Sequence, residues 1–274
     1  MTETTKPLIG ACLPVHALRP HLDWLLAEQR DLEIQSFHDS RVLNGDWRSV
    51  AAEAKDLLQD HTGRLGIHGP FWGFSIATQD EDVRAVVARR MDQALDVAAE
   101  LGATQIVIHS PFTTWDANNL DKERAGREGV IERVHASIGA AVKRAEGLGV
   151  TFVIENIEDK NPADRRALAE SFGSPAVRLS IDTGHAYYAH GSTGAPPVDY
   201  YVLAAEGMLD HVHLQDADGH ADRHWRPGVG TMRWEALFDA LARIGGTPRL
   251  VLEMRDPADV LPGWEWLKAL GVAR

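Results

Sequence analysis

Thiols are all but missing from this sequence, in which Cys12 is the one cysteine among 274 residues. That excludes an internal disulfide and any zinc module built on thiolates, and leaves Cys12 as core filler at the end of the first apolar run. Positive charge is also short, with 28 Lys+Arg against 40 Asp+Glu and a formal net charge of −12. Such a balance argues against a generic binder of phosphate backbones, although a local basic groove or a bound metal can override the global sign. Nothing approaches the roughly 18 apolar residues of a membrane span, and MTETTKPLIG has neither the basic start nor the apolar stretch of a signal peptide. The expectation is a cytoplasmic protein that does not enter a membrane. There is no GxGxxG after the first apolar run, no nucleophile elbow, no phosphate loop and no internal repeat. No Pro/Gly/Ser linker or shift in composition divides the chain, so residues 1–274 read as one domain.

What is present is ordinary in bulk, with 44% hydrophobic and 25% charged residues, and regular in order. Short apolar runs at 8–13, 32–37, 65–68, 105–109, 150–155, 178–182, 210–214 and 249–253 read as eight strands. Helical periods run between them over 19–29, 47–58, 80–101, 123–148, 162–171 and 234–244, with a last helix at 257–270. Gly102 and Gly149 close the two long ones. Strand–helix alternation implies parallel strands, because each helix carries the chain back across the sheet. Eight such units in this length predict an α/β fold, a closed single-domain (β/α)8 TIM barrel. A doubly wound open sheet is the structural competitor; it usually has fewer strands.

In such barrels the active site forms at the C-terminal ends of the strands. The residues there are His68, His109, Glu155, Asp182, His213 and Glu253. Satisfied core histidines or strand-capping acids account for one or two of these. Six consecutive strands ending on His, Asp or Glu call for a cation or shared protons, since converging carboxylates on apolar strands are otherwise too costly to bury. Ligation by oxygen and nitrogen without thiolate suits Mn2+, Mg2+, Co2+ or Zn2+ and does not choose among them. The stretch 211–230 adds His211, Asp216, Asp218, His220, Asp222 and His224 before Pro227, Gly228 and Gly230 turn the backbone. Alone it would pass for a solvated acidic loop; its weight comes from the matching strand ends. In IDTGHA, Gly184 permits a sharp turn that would return His185 to Asp182.

With these residues the chain resembles the xylose isomerase-like barrel superfamily, which holds sugar and sugar phosphate isomerases and epimerases, dehydratases and endonuclease IV. The matching segments are IHGPF, IVIHSP, VIEN, SIDTGHA, HVHLQD, DRHWRPGVGTMRW and LVLE, spanning residues 65–254. The resemblance implies that Glu155, Asp182, His213 and Glu253 hold one divalent metal. It implies that the metal grips neighbouring sugar oxygens and stabilises an enediolate, while Glu155 and Glu253 remove and return the α-proton. His185 joins them as a catalytic residue, and Arg223 and Arg226 would orient substrate hydroxyls. The expected activity is that of an isomerase or epimerase on a small sugar, sugar phosphate or keto-polyol. A lyase of the same superfamily is chemically adjacent, and the chain could work as a homo-oligomer.

The endonuclease branch competes. Its three-zinc site uses nine ligands, and His68, His109, Glu155, Asp182, His185, His213, Asp222, His224 and Glu253 match them all. Against it, HGPFWGF, HSPF and HVHLQDADG depart from that branch's loops, and no Lys lies near His213, so one metal is favoured over three and nucleic acid is not the expected partner. Phe71, Trp72 and Trp115 follow metal-side strand ends and read as walls of a sugar-sized pocket, or else as loop packing. Glu33 and His38 lie where they could reach the pocket. His16, His21, His61, His135 and His190 read as surface or loop residues, and Trp234, Trp264 and Trp266 as packing.

Overall fold

Strands covered on both faces carry continuous apolar runs rather than alternation. The computed structural model, which describes residues 6–119 and 126–274, turns all eight runs into such strands. They are β1 (Ile9–Leu13), β2 (Leu32–Ile34), β3 (Leu65–His68), β4 (Gln105–His109), β5 (Thr151–Glu155), β6 (Val177–Asp182), β7 (Leu209–Leu214) and β8 (Arg249–Glu253). Neighbours pair parallel in sequence order and β8 closes on β1, which completes a (β/α)8 TIM barrel. Around it lie α1 (Leu22–Ala27), α2 (Ser40–Asn44), α3 (Trp47–Leu57), α4 (Glu81–Leu101), α5 (Thr114–Asn119), α6 (Gly126–Leu148), α7 (Pro162–Ser171), α8 (Thr183–Thr193), α9 (Val198–Ala204), α10 (Trp234–Ile244) and α11 (Val260–Leu270). Among the described residues no helix is long and apolar enough to cross a membrane.

Local chemistry sets the helix ends. Asp80 accepts hydrogen bonds from the Asp82 and Val83 amides at the start of α4, and Gly102 ends it in the left-handed region at φ 68°. Register then aligns the site. Cys12 stands opposite both Glu33 and Glu253, His109 opposite Glu155, and Asp182 opposite His213.

Several expectations need correction. The second strand stops at Ile34, and Gln35–His38 form a 3-10 turn that carries the chain over the barrel end. The first helix is shorter than residues 19–29, preceded by a 3-10 turn at Arg19–His21. The start of the 123–148 helix lies outside the described residues. His21 is not a surface residue: it is buried, with its ring nitrogens 2.9 Å from Ala17 O and 3.0 Å from Pro257 O. Helix α8 carries no apolar period that marks it in the sequence, and α9, which buries Val198, Tyr201 and Val202, is too short to stand out. Asp182 starts α8 by accepting the His185 amide at 2.7 Å, so His185 returns to Asp182 through a helix N-terminus and not a glycine turn.

Candidate metal centre

The strand ends bring Glu155, Asp182, His213 and Glu253 together, each offering a ligand atom within 4.8 Å of the others. All four are buried. His213 Nδ1 lies 3.1 Å from Glu155 Oε1 and 3.4 Å from Glu253 Oε2, while Nε2 faces Glu33 Oε1 at 3.1 Å. The second Glu155 oxygen, Oε2, is buried and accepts no hydrogen bond. It faces His68 Nε2 at 3.8 Å and His109 Nε2 at 3.6 Å. A buried acceptor without a donor costs about 1–3 kcal/mol, and a divalent cation ligated by these oxygen and nitrogen atoms would remove that cost. The residues present therefore fit such an ion.

Two smaller groups flank the first. His68, His109 and Glu155 form one, and His185, Asp222 and His224 the other. His185 Nδ1 lies 3.5 Å from Glu155 Oε1, and its Nε2 lies 3.5 Å from Asp222 Oδ1. His224, at φ 49°, places Nε2 3.1 Å from Asp222 Oδ1 and Nδ1 3.6 Å from Glu253 Oε2. All nine matched residues thus meet in three contiguous groups.

Burial and mutual charge shift these groups strongly. Burial pushes Asp182 up to about 6, with Glu155 and Glu253 adding to the effect against His185. Burial alone would raise Glu155, but His213, His109 and His185 outweigh it and hold the carboxyl below its usual range. Burial likewise opposes the charged form of His213 and His185, yet the surrounding carboxylates raise both. His224 is raised to about 9 in the same way, while burial takes His109 down to about 3.

The supporting residues were the hardest to find in the sequence. Glu33 is fully part of the centre: besides His213, it faces His211 Nε2 at 2.9 Å and accepts from Cys12 Sγ at 3.2 Å. Gln215 is buried and donates to Asp182 Oδ1 and Asp222 Oδ1, both at 3.0 Å, while its carbonyl accepts the His224 amide at 2.7 Å. Gln35 donates to Glu253 Oε1 at 2.9 Å, and Asn156 bonds both the amide and carbonyl of Asp182. Partners separated in sequence by up to 218 positions leave no local signal; Glu33 was expected within reach of the pocket, and Asn156 could have been found from its place directly after β5.

Other residues fall outside the centre. Asp216 is buried, accepting from the Ala217, Met232 and Gly228 amides and from Trp234 Nε1, so it braces the loop. Arg223 grips Asp218 at 2.8 Å and lies over the Trp225 ring; Arg226 pairs with Asp259 at 3.6 Å. These contacts take both guanidinium groups to loop carboxylates rather than to the clustered ligands. Phe71 stacks on His109 with centroids 3.9 Å apart and on His38 at 5.4 Å. Phe71 and His109, with Phe112 and Ile157, line a cavity of about 160 Å3. Trp72, in the loop after β3, and Trp115, in α5, are exposed at 65% and 74% and do not line that cavity, contrary to expectation.

Known proteins agree with this architecture. A ketose 3-epimerase of Arthrobacter globiformis is 28% identical over 233 residues, covering 81% of this chain and 73% of that one. A probable endonuclease 4 of Mycobacterium leprae is 24% identical over 197 residues, covering 70% and 74%. The crystal structure of a D-tagatose 3-epimerase-like protein matches with a TM-score of 0.76 at 20% identity, covering 96% of each chain, a likeness of fold. Residues 30–270 match the xylose isomerase-like TIM barrel family, and the chain belongs to that family.

Proposed function

We propose that the chain is a divalent-metal-dependent isomerase or epimerase that moves a proton on the carbon beside the carbonyl of a small sugar, sugar phosphate or keto-polyol. The observation that carries this reading is a pair of buried carboxylates, Glu155 and Glu253, that meet across one imidazole nitrogen of His213 at 3.1 and 3.4 Å. The ketose 3-epimerase relative supports the same class of chemistry. Glu155, Asp182, His213 and Glu253 would hold one divalent cation, which when bound supplies Lewis acidity beside substrate oxygens and so lowers the cost of losing a carbon-bound proton.

The chain's own residues supply the proton handling. Glu155 and Glu253 act as the two bases: acting from opposite faces they invert a carbon, and one acting with a relay isomerises. His185, whose Nδ1 lies 2.9 Å from Asn156 O, presents its ring between Glu155 and Asp222 and orients a substrate hydroxyl. Phe71, fixed on His109, forms an apolar wall that limits water at the reacting carbon. A dehydratase would share the proton-abstraction step and differ in releasing a β-hydroxyl as water. Glu155→Gln and Glu253→Gln are each expected to lower solvent-deuterium exchange into the substrate by about 10²–10⁴-fold; full exchange in either variant removes that residue as a base.

The two flanking groups favour a second reading, an endonuclease-like phosphodiesterase with up to three metals. Metal-dependent cleavage of an abasic-site oligonucleotide, lost in Asp222→Ala and unaccompanied by exchange into any sugar, would replace the first reading with this one.

A further inference from the structure

The opposite end of the barrel holds charge that the proposed chemistry does not use. Arg249 opens β8 and is only 7% exposed. Its Nη2 donates to Thr104 Oγ1 at 2.6 Å across the barrel floor, while Nη1 is buried with no hydrogen-bond partner. Gly66 makes the space for it, since a Cβ at that position would sit 3.2 Å from Nη1. Arg249 lines a cavity of about 490 Å3 together with Arg64, Arg178, Thr104, Gln105 and Asp210.

The carboxylates whose fields reach Arg249 are Asp31, Glu33 and Asp210, and each is already engaged. Asp31 accepts from Arg64 Nε at 2.7 Å, Asp210 lies 3.2 Å from Arg178 Nε, and Glu33 faces His211 and His213 at 2.9 and 3.1 Å. Among the described residues no carboxylate comes within 4.0 Å of the Arg249 guanidinium. The floor of a strongly acidic chain therefore carries an excess of one buried positive charge. Such a charge is costly to hold unpaired, and a guanidinium fork matches phosphate and carboxylate oxygens.

We propose that the barrel floor is a binding site for a small oxyanion, the phosphate or carboxylate group of a metabolite, held by the Arg64, Arg178 and Arg249 guanidinium groups that line its cavity, with the buried, unpaired Arg249 supplying the net positive charge. The site is separate from the metal centre: Arg249 and Glu253 are four residues apart on β8, roughly 13 Å at the usual strand rise. The proposal does not depend on which reaction the metal centre performs.

The test is titration of the purified protein with inorganic phosphate, followed by calorimetry and 31P NMR. Saturable binding of one phosphate per chain is expected, weakened at least ten-fold in Arg249→Met and unchanged in Glu253→Gln. No saturable binding by the wild type would overturn the proposal. So would binding that persists in Arg249→Met, or that is lost in Glu253→Gln, which would place the anion at the metal end. If Arg249→Met does not fold, Arg178→Gln and Arg64→Gln decide: weakening in both supports the site, and unchanged affinity in both refutes it. A tungstate soak should give an anomalous peak beside Arg249, and a peak only at the opposite mouth would again overturn the assignment.

Discussion

A histidine offers a metal only the nitrogen its neighbours leave bare, and at His213 the neighbours decide. With Nε2 facing Glu33 at 3.1 Å, the lone pair of Nδ1 is turned between Glu155 and Glu253. Glu33 would therefore position the His213 ring for the proposed ion. Glu33→Gln is expected to weaken metal binding by about 10–100-fold, read by competition with a chromophoric chelator while circular dichroism stays native; unchanged affinity would mean the backbone alone sets the ring. Asp159 supplies a test of burial itself. It is fully buried, 3.4 Å from Arg165 Nε, and accepts from Ser110 Oγ at 2.8 Å, yet burial outweighs these partners and lifts it to about 6. An unfolded aspartate titrates near 3.9, so the folded chain holds this proton more tightly. Its contribution to stability is fullest below about pH 4 and is lost as pH rises through 6, a change of up to about 3 kcal/mol. Measured by urea unfolding between pH 4 and 7, wild type should lose that amount relative to Asp159→Asn. Parallel curves for the two proteins would show that the carboxyl titrates alike folded and unfolded.

Among the elements, the connection from β7 to α10 does the most to build the centre. Its acidic residues divide between the candidate metal groups and bracing, and their spacing in the sequence does not separate the two. Asp222 reaches the cluster, whereas Asp216 accepts from four donors and pairs its backbone with Trp225. Asp216→Ala leaves those donors unsatisfied and is expected to cost more than about 3 kcal/mol in denaturant unfolding; a loss under about 1 kcal/mol would show that water replaces the carboxylate. The Gln215 amide is held over Asp182 and Asp222 by close approach to α8, where a Cβ on Gly184 would fall 2.2 Å from its Oε1. Gly184 was legible as special, though for a turn, and its actual role requires knowing that residue 215 lies against it. The strands were legible as apolar runs, and six of them, β3–β8, also carry His, Asp or Glu at the C-terminal end. Helix α8 was not, since TGHAYYAHGST has no stripe of apolar residues and owes its start to the Asp182 cap.

For the molecule as a whole, the eightfold repeat of short strand and helix is the simplest pattern to read, and it carries the barrel and the six strand ends with it. What a one-dimensional pattern does not hold is occupancy, because Glu155 belongs to two of the candidate groups, so that one ion or several could use it. Stability makes this measurable. An ion that binds only the folded chain adds about 4 kcal/mol at a thousand times its dissociation constant. For a chain of 274 residues that corresponds to a melting shift on the order of 8 °C. Chelation followed by desalting is expected to lower the melting temperature by about that amount, and readdition of Mn2+, Mg2+, Co2+ or Zn2+ should identify the ion by which one restores it. Elemental analysis of the restored protein then separates the two readings: about one metal per chain supports the sugar enzyme, and about three support the phosphodiesterase. Asp222→Ala sharpens the distinction, because Asp222 belongs to a flanking group and not to the central four. With a single ion its stoichiometry should survive the substitution, whereas a three-metal centre should lose at least one. A chain that carries no metal after incubation with any of the four ions, and whose melting temperature none of them raises, would refute the metal centre, and with it both readings.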